Sequence, residues 1–324
     1  MRGSMAEAFR AFLAGALVFA LAAAAAGVGG CASGDRNDPK FDTRVADPAY
    51  ESGGPRVLFD EGHRNWHRAR GSYQPFVRLM ESDGYRISTT SKPVTLDALA
   101  PYAVFVVSNA VGANERNDEP AFDDSECDAV RDWVAGGGSL LLVTDHFPTG
   151  HAAESLASRF GVRLSKGDVA DSSTYDRAFE PTHLVFSREN GGLAAHPILE
   201  GRNARERVER VLTFTGEAVD ADSPAVGFLR LSDTAEARSA KVNVEHRGSD
   251  VLVNVTYENP VSAAGWSQGV ALEWGKGRVV VLGEAAMLSA RLNRYDGGPV
   301  GMNVPGYDNR QLALNLMHWL TRRL

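Results

Sequence analysis

The chain has 324 residues and a formal charge of −7. Residues 1–30 hold only Arg2, Arg10 and Glu7, a net +1, so the remainder stands at −7 − 1 = −8. That mildly acidic balance, with no run of basic residues, argues against nucleic acid as a partner. The apolar fraction of 44% suits a globular protein with an ordinary core.

Taken in chain order, the first segment reads as an address rather than as fold. Arg2 and Arg10 precede an Ala/Leu/Val/Phe stretch over 11–30 that ends Val28-Gly29-Gly30-Cys31. A basic start, an apolar middle and small residues before a cut mark an export signal. The cysteine directly after the small pair resembles the bacterial lipobox, which implies cleavage before Cys31 and its lipidation by acyl chains, palmitate among them. The alternatives are a plain signal peptide or an N-terminal membrane helix, and the stretch is weakly apolar for a span of ~20 strongly apolar residues. By the usual sorting rule, Ala32 rather than Asp favours the periplasmic face of the outer membrane. The expected partner is therefore the membrane, through Cys31, in the bacterial cell envelope. With Cys31 acylated, Cys127 has no disulfide partner.

Residues 31–55 are polar, with Pro and Gly and no periodicity, and read as a lipid-anchored linker. From Arg56 to Leu324 a rhythm of one α/β domain follows. Val57–Phe59 is a short strand. Tyr73–Asp83 is a helix ended by Gly84, and Tyr85–Thr89 alternates as a strand. Ala103–Ser108 is an apolar run expected where both sheet faces are covered. Ser125–Ala135 is a helix with Ser125 as N-cap, and Cys127, Val130, Trp133 and Val134 share its apolar side. Ser139–Thr144 is a second buried strand, and His151–Phe160 a helix. The stretch from about 165 to 260 is irregular, with short strands such as Leu212–Phe214, Ala225–Leu229 and Val251–Tyr257. Val270–Trp274 and Arg278–Leu282 flank Gly275-Lys276-Gly277 as a hairpin, and Asn309–Arg323 closes the chain as an amphipathic helix. Strands alternating with helices imply a mainly parallel sheet with helices on both faces.

In open parallel sheets, ligands bind beyond the carboxyl ends of the strands. Asp60, Glu61 and His63 follow the first strand, with His67 beyond. Asn109 follows AVFVVS. Asp145 and His146 follow SLLLVT, with His151 at the next helix. Glu284 follows RVVVLG. Glu61, His63, Asp145, His146 and Glu284 are the candidate catalytic groups, and Asp60, His67, Asn109 and His151 the candidate ligand-binding ones. Asp60 and Asp145 also suit turn or helix caps. Imidazole with carboxylate suits zinc or another transition metal, so a divalent metal is a candidate cofactor, although no HExxH signature is present.

The same stretches carry a family likeness. VLFDEGHRNWH, YQPFVRLMESDGYRI, VFVVSNA, VRDWVAGGGSLLLVTDHFPTGHAAESLASRFGV, HPILEGR, GKGRVVVLGEAAMLSA and DNRQLALNLMHWL resemble a bacterial lipoprotein family with the class I glutamine amidotransferase-like fold. The resemblance implies a flavodoxin-like sheet. It also implies a lost activity. True amidotransferases carry a cysteine on the turn after the strand corresponding to SLLLVT, where this chain reads Thr144-Asp145-His146-Phe147. Glutamine hydrolysis through a thiolate needs that atom, so the chain is not expected to be a glutaminase.

Three functions remain. One is a binding module for a small polar or carbohydrate ligand such as a cell-wall fragment, with Trp66, Tyr73 and Trp266 as candidate aromatics. Another is a hydrolase using carboxylate and imidazole, with or without metal. The third is a structural part of an envelope complex.

Overall fold

The computed structural model describes residues 36–112, 119–247 and 250–324, the side chains of 245–253 excepted. The leader, Cys31 and the expected lipid attachment lie outside the described residues. No described helix is long and apolar enough to cross a membrane.

In chain order the strands and helices are β1 (Arg36–Asn37), β2 (Arg56–Asp60), α1 (Gln74–Ser82), β3 (Arg86–Thr90), α2 (Leu96–Leu99), β4 (Val104–Ser108), α3 (Asp124–Gly136) and β5 (Ser139–Val143). Then come α4 (Thr149–Ser158), β6 (Val162–Leu164), β7 (Gly167–Asp171), β8 (Val185–Ser187), α5 (Pro197–Glu200), β9 (Arg210–Leu212), β10 (Val219–Ala221) and β11 (Val226–Arg230). The chain ends through β12 (Ala235–Arg247), β13 (Asp250–Ser262), β14 (Ser267–Trp274), β15 (Gly277–Leu282), β16 (Ala290–Leu292), β17 (Pro299–Gly301) and α6 (Asn309–Leu320).

The main sheet has nine strands. Five run parallel in the spatial order β3-β2-β4-β5-β15. Beyond them β14 lies antiparallel to β15 and carries β10 and β11, with β6 outside β10. Successive residues of a strand point to opposite faces, and the two cores divide accordingly. Val57, Phe59, Val104, Val106, Leu141 and Val143 pack under α1 and α6. Leu58, Phe105, Val107, Leu140 and Leu142 pack under α3 and α4. The molecule is a mixed α/β domain with a mostly parallel sheet covered on both faces, which is why its central strands are continuous apolar runs.

Several expectations are corrected in detail. The N-cap of α3 is Asp123, not Ser125: Asp123 accepts from the Glu126 N–H while Glu126 reaches back to the Asp123 N–H, a reciprocal box. The irregular middle holds a hairpin of two 13-residue strands, β12–β13, whose first arm pairs with β7. Its alternation is diluted by Asn, Thr and Lys, so only part of the second arm was readable. Residues 36–55, read as a tether, lie against the body instead. β1 pairs with β16, the Ala49 N–H donates to the buried Asp83 carboxylate at 2.7 Å, and the Tyr50 ring meets Tyr85 edge-on at 5.2 Å. Gly84 admits this strap: its φ is +94°, and a Cβ there would stand 2.0 Å from the Tyr50 carbonyl oxygen.

Candidate functional site

The parallel strands all finish on one edge, and the polar residues that follow them are largely buried there. Asp60 ends β2 fully buried. Its oxygens accept from His63 Nδ1 at 2.9 Å, Asn65 Nδ2 at 3.0 Å and the Gly62 N–H at 3.1 Å. The other ring nitrogen of His63 faces Glu126 Oε1 at 3.1 Å, and the ring stacks on Phe122 at 3.9 Å. Asp60 and His63 thus tie the β2 loop to α3. Glu61 accepts from the Ala69 N–H at 2.9 Å. His67 turns elsewhere, to Ser72 Oγ at 2.6 Å, and lies flat on Tyr73 at 4.7 Å. His63 and His67 therefore face different partners and form no metal pair. Among the described residues no group of three or more His, Cys, Asp or Glu is placed to hold a metal ion.

Asp145, His146 and Glu284 do come together. Asp145 Oδ1 accepts from the His146 N–H at 2.7 Å and from His146 Nδ1 at 2.5 Å, while Oδ2 accepts from the Ala285 N–H at 3.3 Å. Glu284 is fully buried, and its two oxygens take the N–H groups of Ala286 at 2.6 Å and Met287 at 2.8 Å. Burial and the neighbouring Asp145 charge hold Glu284 well above the usual carboxylate range. The Tyr73 hydroxyl donates to the Ala285 carbonyl at 2.7 Å. His151 meets Phe147 edge-on at 5.6 Å at the start of α4.

His146 Nδ1 also approaches the Thr215 carbonyl at 3.1 Å. Thr215 sits at φ +60°, a strained conformation for a β-branched residue. Among the described residues nothing hydrogen-bonds Nε2 of His146, and the side chain is 25% exposed. Burial would lower its pKa, but the Asp145 charge and hydrogen bond, the Thr215 carbonyl and Asp168 raise it to about 9. At neutral pH His146 is an imidazolium whose Nε2–H is the accessible donor. His67 behaves oppositely: burial and the Arg291 charge lower it to about 3.

Four contributors come from segments whose strand signal is weak. Glu217, fully buried, accepts from the Lys166 N–H at 2.7 Å and is pushed up to about 8 by burial, with Asp145 adding to the shift. Asp168 on β7 binds Arg238 of β12, and Tyr257 of β13 meets the His146 ring edge-on at 6.4 Å. The hairpin thus reaches over the strand ends. Only the short strand read over Val251–Tyr257 touched it, and no local motif marked Glu217.

At the end of β4, Asn109 is 2% exposed with φ +48°. Its backbone bonds Val143 and Trp66, yet its buried Oδ1 has no hydrogen-bond partner among the described residues. Cys127 on α3 is fully buried, its thiol raised by burial and directed at Ser155 Oγ at 3.6 Å. It lies on a different element from the turn after β5.

No family model and no curated protein matches the chain. Among solved structures it is similar to the mmIFT52 N-terminal domain, at 14% identity and a TM-score of 0.56, covering 82% of this chain and 97% of that one. The two share a fold. Looser likenesses are to a cytoplasmic protein from Salmonella typhimurium (12% identity, TM-score 0.47, 82% of this chain and 98% of that chain) and a ThuA-like protein from Bacteroides uniformis (12%, TM-score 0.40, 87% and 95%).

Proposed function

We propose that this is a lipid-anchored cell-envelope protein, held by Cys31 at the periplasmic face of the outer membrane. In this reading its class I glutamine amidotransferase-like domain has no nucleophilic cysteine and binds a small polar or carbohydrate ligand at the strand ends. The spatial order of the parallel strands, second-first-third-fourth-fifth, is that of flavodoxin-like sheets. The turn that would bear the thiol carries Asp145 and His146, and the remaining thiol is packed inside α3.

The observation that carries binding rather than hydrolysis is how the acids are used. Asp60, Asp145 and Glu284 each spend their oxygens on backbone N–H groups, the Asn65 amide or a nearby imidazole, so none stands ready to take a proton from water. His146 keeps its proton at neutral pH, which suits a hydrogen-bond donor and not a general base. Its Nε2–H would anchor a ligand oxygen, and half-buried Trp66, whose N–H donates to the Asn109 carbonyl at 3.0 Å, is the candidate apolar platform.

Thermal unfolding of the purified protein with N-acetylglucosamine, N-acetylmuramic acid and their disaccharide tests this. A bound saccharide at about 100-fold its Kd adds ~2.7 kcal/mol, and His146→Gln is expected to abolish the gain. A panel that leaves the wild-type melting temperature unmoved would sink the reading. Hydrolysis of a saccharide that rises through pH 9 and disappears in His146→Gln would favour the carboxylate/imidazole hydrolase instead.

A further inference from the structure

The packed strap fixes which face of the domain stands nearest the proposed anchor. β1 runs antiparallel to β16 with Arg36 opposite Leu292 and Asn37 opposite Arg291. Traced backward from Arg36, the chain therefore heads toward the turn that joins β16 to β17. That turn is closed by the Asn293 N–H on the Gly298 carbonyl and the Gly297 N–H on the Asn293 carbonyl. Four residues, 32–35, separate Arg36 from Cys31, so the anchor lies within about 18 Å of it by chain length alone.

Exposed arginines surround that exit. Arg36, Arg68 and Arg70 are exposed and have no ion-pair partner among the described residues. The Arg68–Gly71 turn is held beside the strap by Asn37 Nδ2 on the Gly71 carbonyl at 2.9 Å. At the tip of the β16–β17 turn, exposed Arg294 stands over the ring of Tyr295 at 4.5 Å, and Tyr295 is 81% exposed. Among the described residues, Asp38 accepts from the Lys40 N–H and Asn303 Nδ2, and Asp296 from the Gly298 N–H. Other arginines are held in ion pairs, half-buried Arg159 with Asp124 and Asp128, and exposed Arg163 with Asp220 and Asp222.

We propose that this patch, Arg36, Arg68, Arg70, Arg294 and Tyr295, is a membrane-docking face that seats the domain on anionic phospholipid headgroups. Guanidinium groups close to an anionic surface are attracted to its phosphates, and Tyr is a residue of the water–lipid boundary. The short link to Cys31 places the face within reach of the bilayer, so this inference rests on the anchoring reading above.

The test uses the mature protein isolated from membranes and reconstituted in vesicles. An environment-sensitive dye is attached at Tyr295→Cys or, as a control at the opposite end of the sheet, at Lys276→Cys. Intact mass first reports whether Cys31 is acylated. In phosphatidylglycerol-rich vesicles, headgroup spin labels are expected to quench the dye at position 295 and not at 276. The quenching should vanish in phosphatidylcholine vesicles and in high salt. Arg36→Glu/Arg68→Glu/Arg70→Glu should shift the docked-to-undocked ratio on the order of hundredfold. These three surface changes leave the core untouched. An acylated protein whose dye is quenched equally at both positions, or not at 295, overturns the docking face alone. A Cys31 without acyl mass overturns the anchoring reading and the docking face with it.

Discussion

At the scale of single residues, the informative groups are those that depart from ordinary behaviour. His146 owes its raised pKa chiefly to Asp145, so the shift belongs to the pair and not to the fold. Asp145→Asn keeps the shape and removes the charge. The imidazole is then expected to titrate below its ordinary 6.5, because burial would act with little opposition. An NMR titration of the His146 ring checks this, and an unchanged midpoint near 9 would refute the assignment. Asn109 gives a second test. Its left-handed backbone costs little for Asn or Gly and more for Ala. Asn109→Gly should hold or slightly raise the urea midpoint, since it also removes a buried oxygen with no partner among the described residues, while Asn109→Ala should cost ~1 kcal/mol. Equal losses in both variants would show that the amide itself stabilises the fold.

At the scale of elements, the sequence was most readable where both faces of a strand are covered. The runs VFVVS and SLLLV could hardly be anything else, and with their neighbours they placed Asp60, Asn109, Asp145 and Glu284 on one edge. What they could not show is direction of use. That Asp60 would hold His63 against α3, and that Glu284 would bond its own following backbone, depends on loop paths that leave no periodic trace. Glu217, Arg238 and Tyr257 come from 165–260, where strands are short or polar and the pairing is long-range. The strap was missed for a related reason: Asp42, Arg44 and Pro48 look like linker composition, and its hold comes from elsewhere in the chain. Asp83 is that hold. Fully buried, it accepts from the Ala49 N–H and from His318 Nε2 at 2.7 Å, joining strap, α1 and α6. Asp83→Ala leaves a buried imidazole and a buried N–H without their acceptor, at a cost of about 2–5 kcal/mol. The strap should then be cut by protease around 45–50 before the body unfolds. Cleavage no faster than in wild type would mean that the β1–β16 pairing and the tyrosine contact suffice.

At the scale of the whole molecule, buried ionisable groups pull stability in two directions, and the balance sets a preferred pH. His67 is lowered to about 3, and His183 and His196 to about 4, in each case chiefly by burial. Each is neutral when folded and gains a proton on unfolding below its ordinary 6.5. Their contribution is complete above 6.5 and drains away as pH falls toward 4 and 3. Glu217, raised to about 8, and His146, raised to about 9, act the other way. Each holds its proton longer in the folded state, so its contribution is complete below the ordinary value, 4.5 or 6.5, and is lost as pH rises through 8 and 9. Glu284 is raised in the same sense. Between 4.5 and 6.5 three histidines outweigh two glutamates, and above 6.5 only the losses remain. Because the slope of stability with pH is the difference in bound protons between unfolded and folded states, the curve should peak near 6.5 and fall on both sides. Urea midpoints taken from pH 4 to pH 9 measure it directly. Glu217→Gln removes one titrating group while keeping the shape against Gly150, where a Cβ would meet Glu217 Oε2 at 2.3 Å. That variant should flatten the alkaline limb and steepen the rise between pH 4.5 and 6.5, where Glu217 opposes the histidines. A midpoint that climbs steadily to pH 9, or an alkaline limb identical in wild type and variant, would show that Glu217 is ionised in the folded protein.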